Sequence, residues 1–337
     1  MPSSRPEPPD QALFKPLLLT CLTLLVASSW AQSQTAVPPF KQLVHLYDYN
    51  QQAPLDVQQG KVETVPGATI HRITYASPKT GRVTAFLMVP EGKGPFAAIV
   101  FQHWGLGDKA EFLPEATLLA RAGAVSILID APWARPKPWR QSGEGHVAKP
   151  EIDRDLYIQT VVDLRRAVDV LLQRPDVDPR RIAYAGHSYG ATWGGVLAGV
   201  EHRIKAFALM AGLPTNTDFT PNGATLLDAA INQVNSQFTR AQIQHYIDVV
   251  APTDPVRYVG HAAPSALFMQ FGEHDLYISK KFADEYYSAA SEPKQEKWYN
   301  TGHELNSLSA LRDRDEWFEK ELSLRPVLPL MELELDQ

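Results

Sequence analysis

The sequence is almost without cysteine: one residue, Cys21, in a chain of 337. Cys21 lies inside an apolar run, residues 17–26, that follows Arg5 and Lys15 and precedes Ser29-Trp30-Ala31. A basic start, a short apolar stretch and then small residues read as an export leader, residues 1–31, placing the protein in the periplasm or outside the cell. The run is too short to cross a hydrocarbon core about 30 Å thick as a helix, so no membrane insertion is expected once the leader is removed. A chain starting near Gln32 would hold no cysteine, which excludes disulfides, thiolate metal sites and a cysteine nucleophile. A large excess of charge of one sign is also lacking. The net charge of −6 argues against a nucleic-acid or anionic-membrane partner. No cluster with metal-ligand spacing occurs, and no cofactor or metal is expected. Internal repeats and low-complexity runs are missing too. The chemistry must rest on oxygen and nitrogen side chains.

What is present is an ordinary globular composition, 44% hydrophobic and 21% charged. Residues 32–69 are polar and broken by Pro38-Pro39 and Gln51-Gln52-Ala53-Pro54, which reads as a surface arm. Residues 71–76 and 83–89 read as two strands of a hairpin around Ser77-Pro78-Lys79-Thr80-Gly81. Continuous apolar runs at 97–102 and 125–129 mark strands covered on both faces, with a helix over 114–122 between them ending at Gly123. The alternation continues: a long helix over 153–173 with Arg165 and Arg166 on its surface, a strand at 181–185, a helix at 189–200 and a strand at 206–210. Strands at 266–271 and 297–299 follow, separated by a helix over 279–290, and a helix over 308–322 closes the series. This order predicts an α/β fold, a mostly parallel sheet with helices on both faces and a leading hairpin. Residues 70–325 form one catalytic domain in this reading, and 326–337 a tail. Residues 212–264 interrupt the rhythm with a polar loop and a helical segment over 225–250. Such an insertion either shields the sheet or serves as a partial lid.

Gly186-His187-Ser188-Tyr189-Gly190 stands where a strand passes into a helix. A sharp turn there lifts the Ser188 hydroxyl above the sheet beside the positive end of the helix, and the flanking glycines let strand and helix approach. A serine hydroxyl needs a base within hydrogen-bond reach. His303 lies in the loop after the last expected strand, on the edge where all parallel-strand C-termini emerge, so it can meet Ser188. His187 points the wrong way off the elbow to be that base, and His202, His245, His261 and His274 lack the placement. Asp275 follows the preceding strand on the same edge and is the expected acid partner, with Glu273 and Asp218 as rivals. An oxyanion needs two amide donors. One is expected from Tyr189 and the other from Trp104 or Gly105 in Gln102-His103-Trp104-Gly105-Leu106-Gly107, between which the sequence does not choose.

From about residue 70 to 322 the chain resembles the α/β-hydrolase superfamily, and within it the dienelactone hydrolases and their esterase relatives. The resemblance is carried by residues 186–190, by His103-Trp104-Gly105-Leu106-Gly107, by Gly272-Glu273-His274-Asp275 and by Gly302-His303. It implies a serine hydrolase that cleaves a small-molecule carboxylic ester through an acyl-enzyme on Ser188. Dienelactone hydrolases carry a cysteine where Ser188 stands, and many relatives have glycine where Trp104 would narrow the acyl pocket. A peptidase on the same fold, or a non-catalytic binding protein, are the alternatives. A second group, His103 with Trp133 and Arg135 in the proline-stiffened segment after residue 129, is a candidate substrate-binding set, set against simple packing of the tryptophan and solvation of the cation.

Overall fold

The computed structural model describes residues 37–141 and 146–335. The leader read over residues 1–31 lies outside the described residues. A short helix α1 (Phe40–Leu43) precedes four strands, β1 (Gln58–Val65), β2 (Ala68–Ala76), β3 (Arg82–Pro90) and β4 (Phe96–Gln102). Helix α2 (Leu113–Ala122), strand β5 (Ala124–Ile129), helix α3 (Pro150–Leu172), strand β6 (Val177–His187), helix α4 (Tyr189–Val200) and strand β7 (Ala206–Met210) come next. Helices α5 (Leu226–Gln237) and α6 (Arg240–Val250) lead to strand β8 (Ala266–Gly272), helix α7 (Lys280–Ala289), strand β9 (Lys294–Tyr299) and helices α8 (Leu308–Leu322) and α9 (Leu328–Leu335).

The strands form one sheet in the order β1-β2-β3-β5-β4-β6-β7-β8-β9. The first three pair antiparallel and β3 is antiparallel to β5, while β5-β4-β6-β7-β8-β9 all run parallel. Every residue of β5 and β7 is buried, so both faces of the centre are covered, as their unbroken apolar sequences require. The C-terminal ends of the parallel strands share one edge. That edge carries the loops after β4, β6, β8 and β9.

The segment read as a surface arm differs in two ways. Residues 58–65 are strand β1, an exposed edge whose polar side chains give no hydrophobic alternation. Upstream, Leu43, Tyr47 and Leu55 are buried in the core. Arg165 and Arg166, expected on the surface of α3, hold this segment down. Arg165 donates to the Tyr47 carbonyl at 2.7 Å, and the buried Arg166 reaches the carbonyls of Gln51 and Ala53. The expected tail contains α9, with Val327 buried and Leu330 and Met331 against the core. The helical segment at 225–250 is two helices, each opened by a threonine capping box at Thr225 and Thr239.

Candidate active site

Strand β6 ends at His187 and α4 begins at Tyr189, leaving Ser188 alone to turn the chain. Its φ of 54° and ψ of −111° lie outside the regions ordinary residues favour, a strain of about 1–3 kcal/mol that the surrounding structure must hold. The Ser188 amide donates to the Met210 carbonyl at 2.7 Å, which fixes the corner to β7. A Cβ at position 186 would stand 2.4 Å from the Gly190 backbone, and one at 190 would stand 2.2 Å from the Gln102 carbonyl oxygen. Both glycines are therefore set by close approach.

The loop after β9 brings His303 over this corner. His303 Nε2 is 2.8 Å from Ser188 Oγ, and its Nδ1 is 2.8 Å from Asp275 Oδ2 in the loop after β8. Asp275 cannot donate as a carboxylate, so Nδ1 carries the hydrogen and Nε2 is left to accept from the serine hydroxyl. The other carboxylate oxygen, Oδ1, accepts the amides of Tyr277 and Ile278 at 2.7 and 2.9 Å. The His303 ring lies between Tyr277 and His187, with centroids at 4.8 and 5.1 Å, and is only 5% exposed. Of the rival carboxylates, Glu273 is exposed and Asp218 pairs with Lys281 at 3.2 Å. This arrangement can transfer a proton from a hydroxyl to an imidazole whose developing charge faces a buried carboxylate.

Trp104 and Gly105 line the same cavity as Ser188 and His303, but their amides differ. The Trp104 N–H is given to Glu111 Oε2 at 2.8 Å, which leaves Gly105 as the loop's candidate donor and takes Trp104 out of that role. Tyr189 occupies the first position of α4, at the positive end of the helix.

The candidate substrate-binding set does not face the cavity. His103 is buried, with Nδ1 2.6 Å from the Trp104 carbonyl and Nε2 accepting the Ala131 amide at 3.0 Å. Burial lowers its pKa, in keeping with a neutral ring that donates from one nitrogen and accepts at the other. It staples the loop after β4 to the segment after β5. Arg135 is fully buried, pairs with Asp163 and donates to the Asp130 carbonyl at 3.2 Å, so it is neither a substrate ligand nor a solvated cation. Trp133 packs edge-on against His103 and Tyr189 at centroid distances of 6.1 and 6.0 Å.

The cavity has a volume of about 330 Å³. Beyond the residues above, its wall includes Leu213, Leu226, Leu227, Ala230 and Tyr277. Three of these belong to α5, which sequence reasoning placed only as a shield or lid; adjacent leucines at the start of an otherwise polar helix were the available signal. Helix α6 lies against α3, with the Tyr246 hydroxyl donating to Asp153 at 3.1 Å. A larger concavity of about 650 Å³ beside the start of α3 holds none of the groups just described. Among the described residues, no group of three or more His, Cys, Asp or Glu side chains is placed to hold a metal ion.

A sequence profile of the acetyl xylan esterase (AXE1) family matches residues 48–245, more than half of the chain. A Bacillus subtilis (strain 168) protein described as an uncharacterized peptidase, YuxL, is 23% identical over 273 residues, 74% of this chain and 39% of the relative. The chain thus spans about two fifths of that relative's length. Among solved structures, an acetyl xylan esterase from a Paenibacillus species superposes with a TM-score of 0.69 at 19% identity, covering 84% of this chain and 93% of that one. Acetyl xylan esterase 1 from a Thermoanaerobacterium species gives 0.69 at 16% identity, covering 85% and 95%. With Ser188 inside the matched segment, the chain belongs to the acetyl xylan esterase (AXE1) family.

Proposed function

We propose that Ser188 is the nucleophile, His303 the general base and Asp275 the group that orients and charges the base, and that the substrate is a small, uncharged carboxylic ester. The observation that carries this reading is the unbroken file Asp275–His303–Ser188, two hydrogen bonds of 2.8 Å ending at the cavity. Ser188 Oγ attacks the ester carbonyl as its proton passes to His303 Nε2. The tetrahedral oxyanion is met by the amides of Gly105 and Tyr189. His303 then returns the proton to the departing alcohol, and water repeats the sequence on the acyl-serine.

The substrate class follows from the cavity. Among the described residues, its lining includes no Lys, Arg, Asp or Glu, and His303 stands beside the serine. A charged acyl or alcohol part would be desolvated there without a partner. A short acyl group with an alcohol of sugar size fits a volume near the low end for ligand sites. Trp104 and Tyr277 supply aromatic side chains to the lining. Family membership favours an acetyl ester of a carbohydrate or similar polyol. The same lack of charge disfavours a peptide substrate held by its free amino group. The test is acetate release from acetylated xylo-oligosaccharides, alongside nitrophenyl acetate, butyrate and octanoate and a set of peptide amides. Faster turnover of amides than of acetates would overturn the ester reading, and a wild type that neither turns over nor takes a fluorophosphonate label at Ser188 would leave only a binding protein. Export is part of the proposal. It rests on the apolar run at 17–26 and on Ser29-Trp30-Ala31.

A further inference from the structure

The end of β4, the end of β6 and the loop after β9 are separate pieces of chain, yet one file of hydrogen bonds ties all three. Glu111 stands just ahead of α2, its side chain 20% exposed. Its Oε2 accepts the Trp104 amide at 2.8 Å, and its Oε1 lies 2.7 Å from His187 Nδ1. The other nitrogen of that ring, Nε2, lies 2.8 Å from the His303 carbonyl oxygen. Both ring nitrogens of His187 face acceptors, a carboxylate and a carbonyl. With the Glu111 carboxylate as one partner, the Glu111–His187 contact is a charge-assisted one, stronger and more directional than a neutral hydrogen bond.

Each end of the file meets the reaction. At the Trp104 end, the amide is held by Glu111 while the carbonyl accepts from His103 Nδ1 at 2.6 Å and from the Gly107 amide at 3.2 Å. With both of its peptide groups fixed, the trans peptide that follows directs the Gly105 N–H away from the Trp104 carbonyl, in one orientation. At the other end, His187 pins the backbone of the residue whose ring is pinned by Asp275 and Ser188.

We propose that Glu111 is a positioning residue for ester hydrolysis, holding the Gly105 amide and His303 at a fixed spacing around Ser188 through Trp104 on one side and His187 on the other. It touches no reacting atom. The proposal rests on the roles given above to Ser188 and His303.

The test measures kcat per active site, titrated to completion with a fluorophosphonate, together with KM and thermal stability. Glu111→Ala lowers kcat per titrated site about a hundredfold with KM within about threefold, the cost expected when reacting groups lose their placement. Glu111→Gln can still accept from Trp104 and donate to a neutral His187, and it recovers about tenfold of that loss. His187→Gln lowers kcat about tenfold, and combining it with Glu111→Ala costs no more than Glu111→Ala alone, because both cut one file. A Glu111→Ala protein with a lower melting temperature but wild-type kcat per titrated site would make the residue merely structural and overturn the proposal, as would losses that multiply in the double variant. If Glu111→Ala does not fold, the cycle of Glu111→Gln with His187→Gln decides by the same criterion of shared or multiplied losses. A wild type inert to both ester and fluorophosphonate fails in a different way: it removes the reading of Ser188, and this proposal with it.

Discussion

The amide of Leu226 donates to the carbonyl of Leu276 at 2.7 Å, fastening the first turn of α5 to the loop that carries Asp275. The insertion is therefore tied to the candidate site beside Asp275. The same turn presents Leu226 and Leu227 to the cavity and is closed by a capping box, in which Thr225 Oγ1 accepts the Asp228 amide at 3.1 Å and Asp228 Oδ2 accepts the Thr225 amide at 2.9 Å. Thr225→Ala removes one half of that box. The expected cost is about 1 kcal/mol of stability, concentrated in α5. Because α5 walls the cavity without touching the reacting atoms, KM for nitrophenyl esters rises several-fold while kcat stays within about twofold. A fall in kcat with unchanged KM would show that α5 acts on the chemistry instead.

Asp275 makes a sharper demand than its charge alone. Its Oδ1 is committed to two amides, so in Asp275→Asn the amide nitrogen must take the place of Oδ2 and face His303 Nδ1. A donor there forces the hydrogen of His303 onto Nε2, the nitrogen that has to accept from Ser188. The variant should lose about 10⁴-fold in kcat, close to the loss for Ser188→Ala, with its fold retained. Steady-state kinetics on nitrophenyl acetate, with circular dichroism as the control, measures both. A loss under tenfold would mean that Asp275 is not the partner of the base.

The sequence already showed the centre of the fold because the parallel strands are buried on both faces. Burial there demands unbroken apolar runs such as those of β4, β5 and β7, and the loops that follow them share an edge by topology alone. Ser188, Asp275 and His303 could be placed on that edge for this reason. Strand β1 could not, since an exposed edge strand is held by backbone pairing and its side chains carry no pattern. His103 and Arg135 were misplaced for a different cause. Each is a buried polar group bonded to a partner 28 residues away, Ala131 and Asp163, and nothing local announces such a pairing. Glu111 was invisible in the same way. Its partners come from the loop after β4 and the end of β6, and only the folded sheet brings them together.

The expected export leader makes a claim about the mature protein that the fold does not address. N-terminal sequencing of protein from the native host should find a start near Gln32. That mature chain contains no cysteine, so reducing agent should leave its melting temperature unchanged. A chain beginning at Met1 in a membrane fraction would make residues 17–26 an anchor.

Asp254 makes stability depend on pH in a direction opposite to that of most carboxylates. It is fully buried beside the polar loop that follows Leu213, where its Oδ1 accepts the Asn216 amide at 2.8 Å and its Oδ2 accepts the Thr217 hydroxyl. Burial raises its pKa from the usual 3.8 to about 6, because these hydrogen bonds and Arg257 offset only part of the loss of water. In the unfolded chain the group titrates near the ordinary value. Between those two points the unfolded chain has lost the proton while the folded protein keeps it, so folding binds a proton and stability falls as pH rises through that window. Below about pH 4 both states are protonated, and above about pH 6 both are charged, so the contribution is flat on either side. A shift of about two units corresponds to roughly 3 kcal/mol across the window. Asp254→Asn keeps an acceptor for the Asn216 amide and removes the titration. The melting temperature of the wild type minus that of the variant should therefore decline from pH 4 to pH 6 and level off above it. A difference that rises with pH over the same range would show that Asp254 is stabilised as the anion, with its hydrogen bonds outweighing burial.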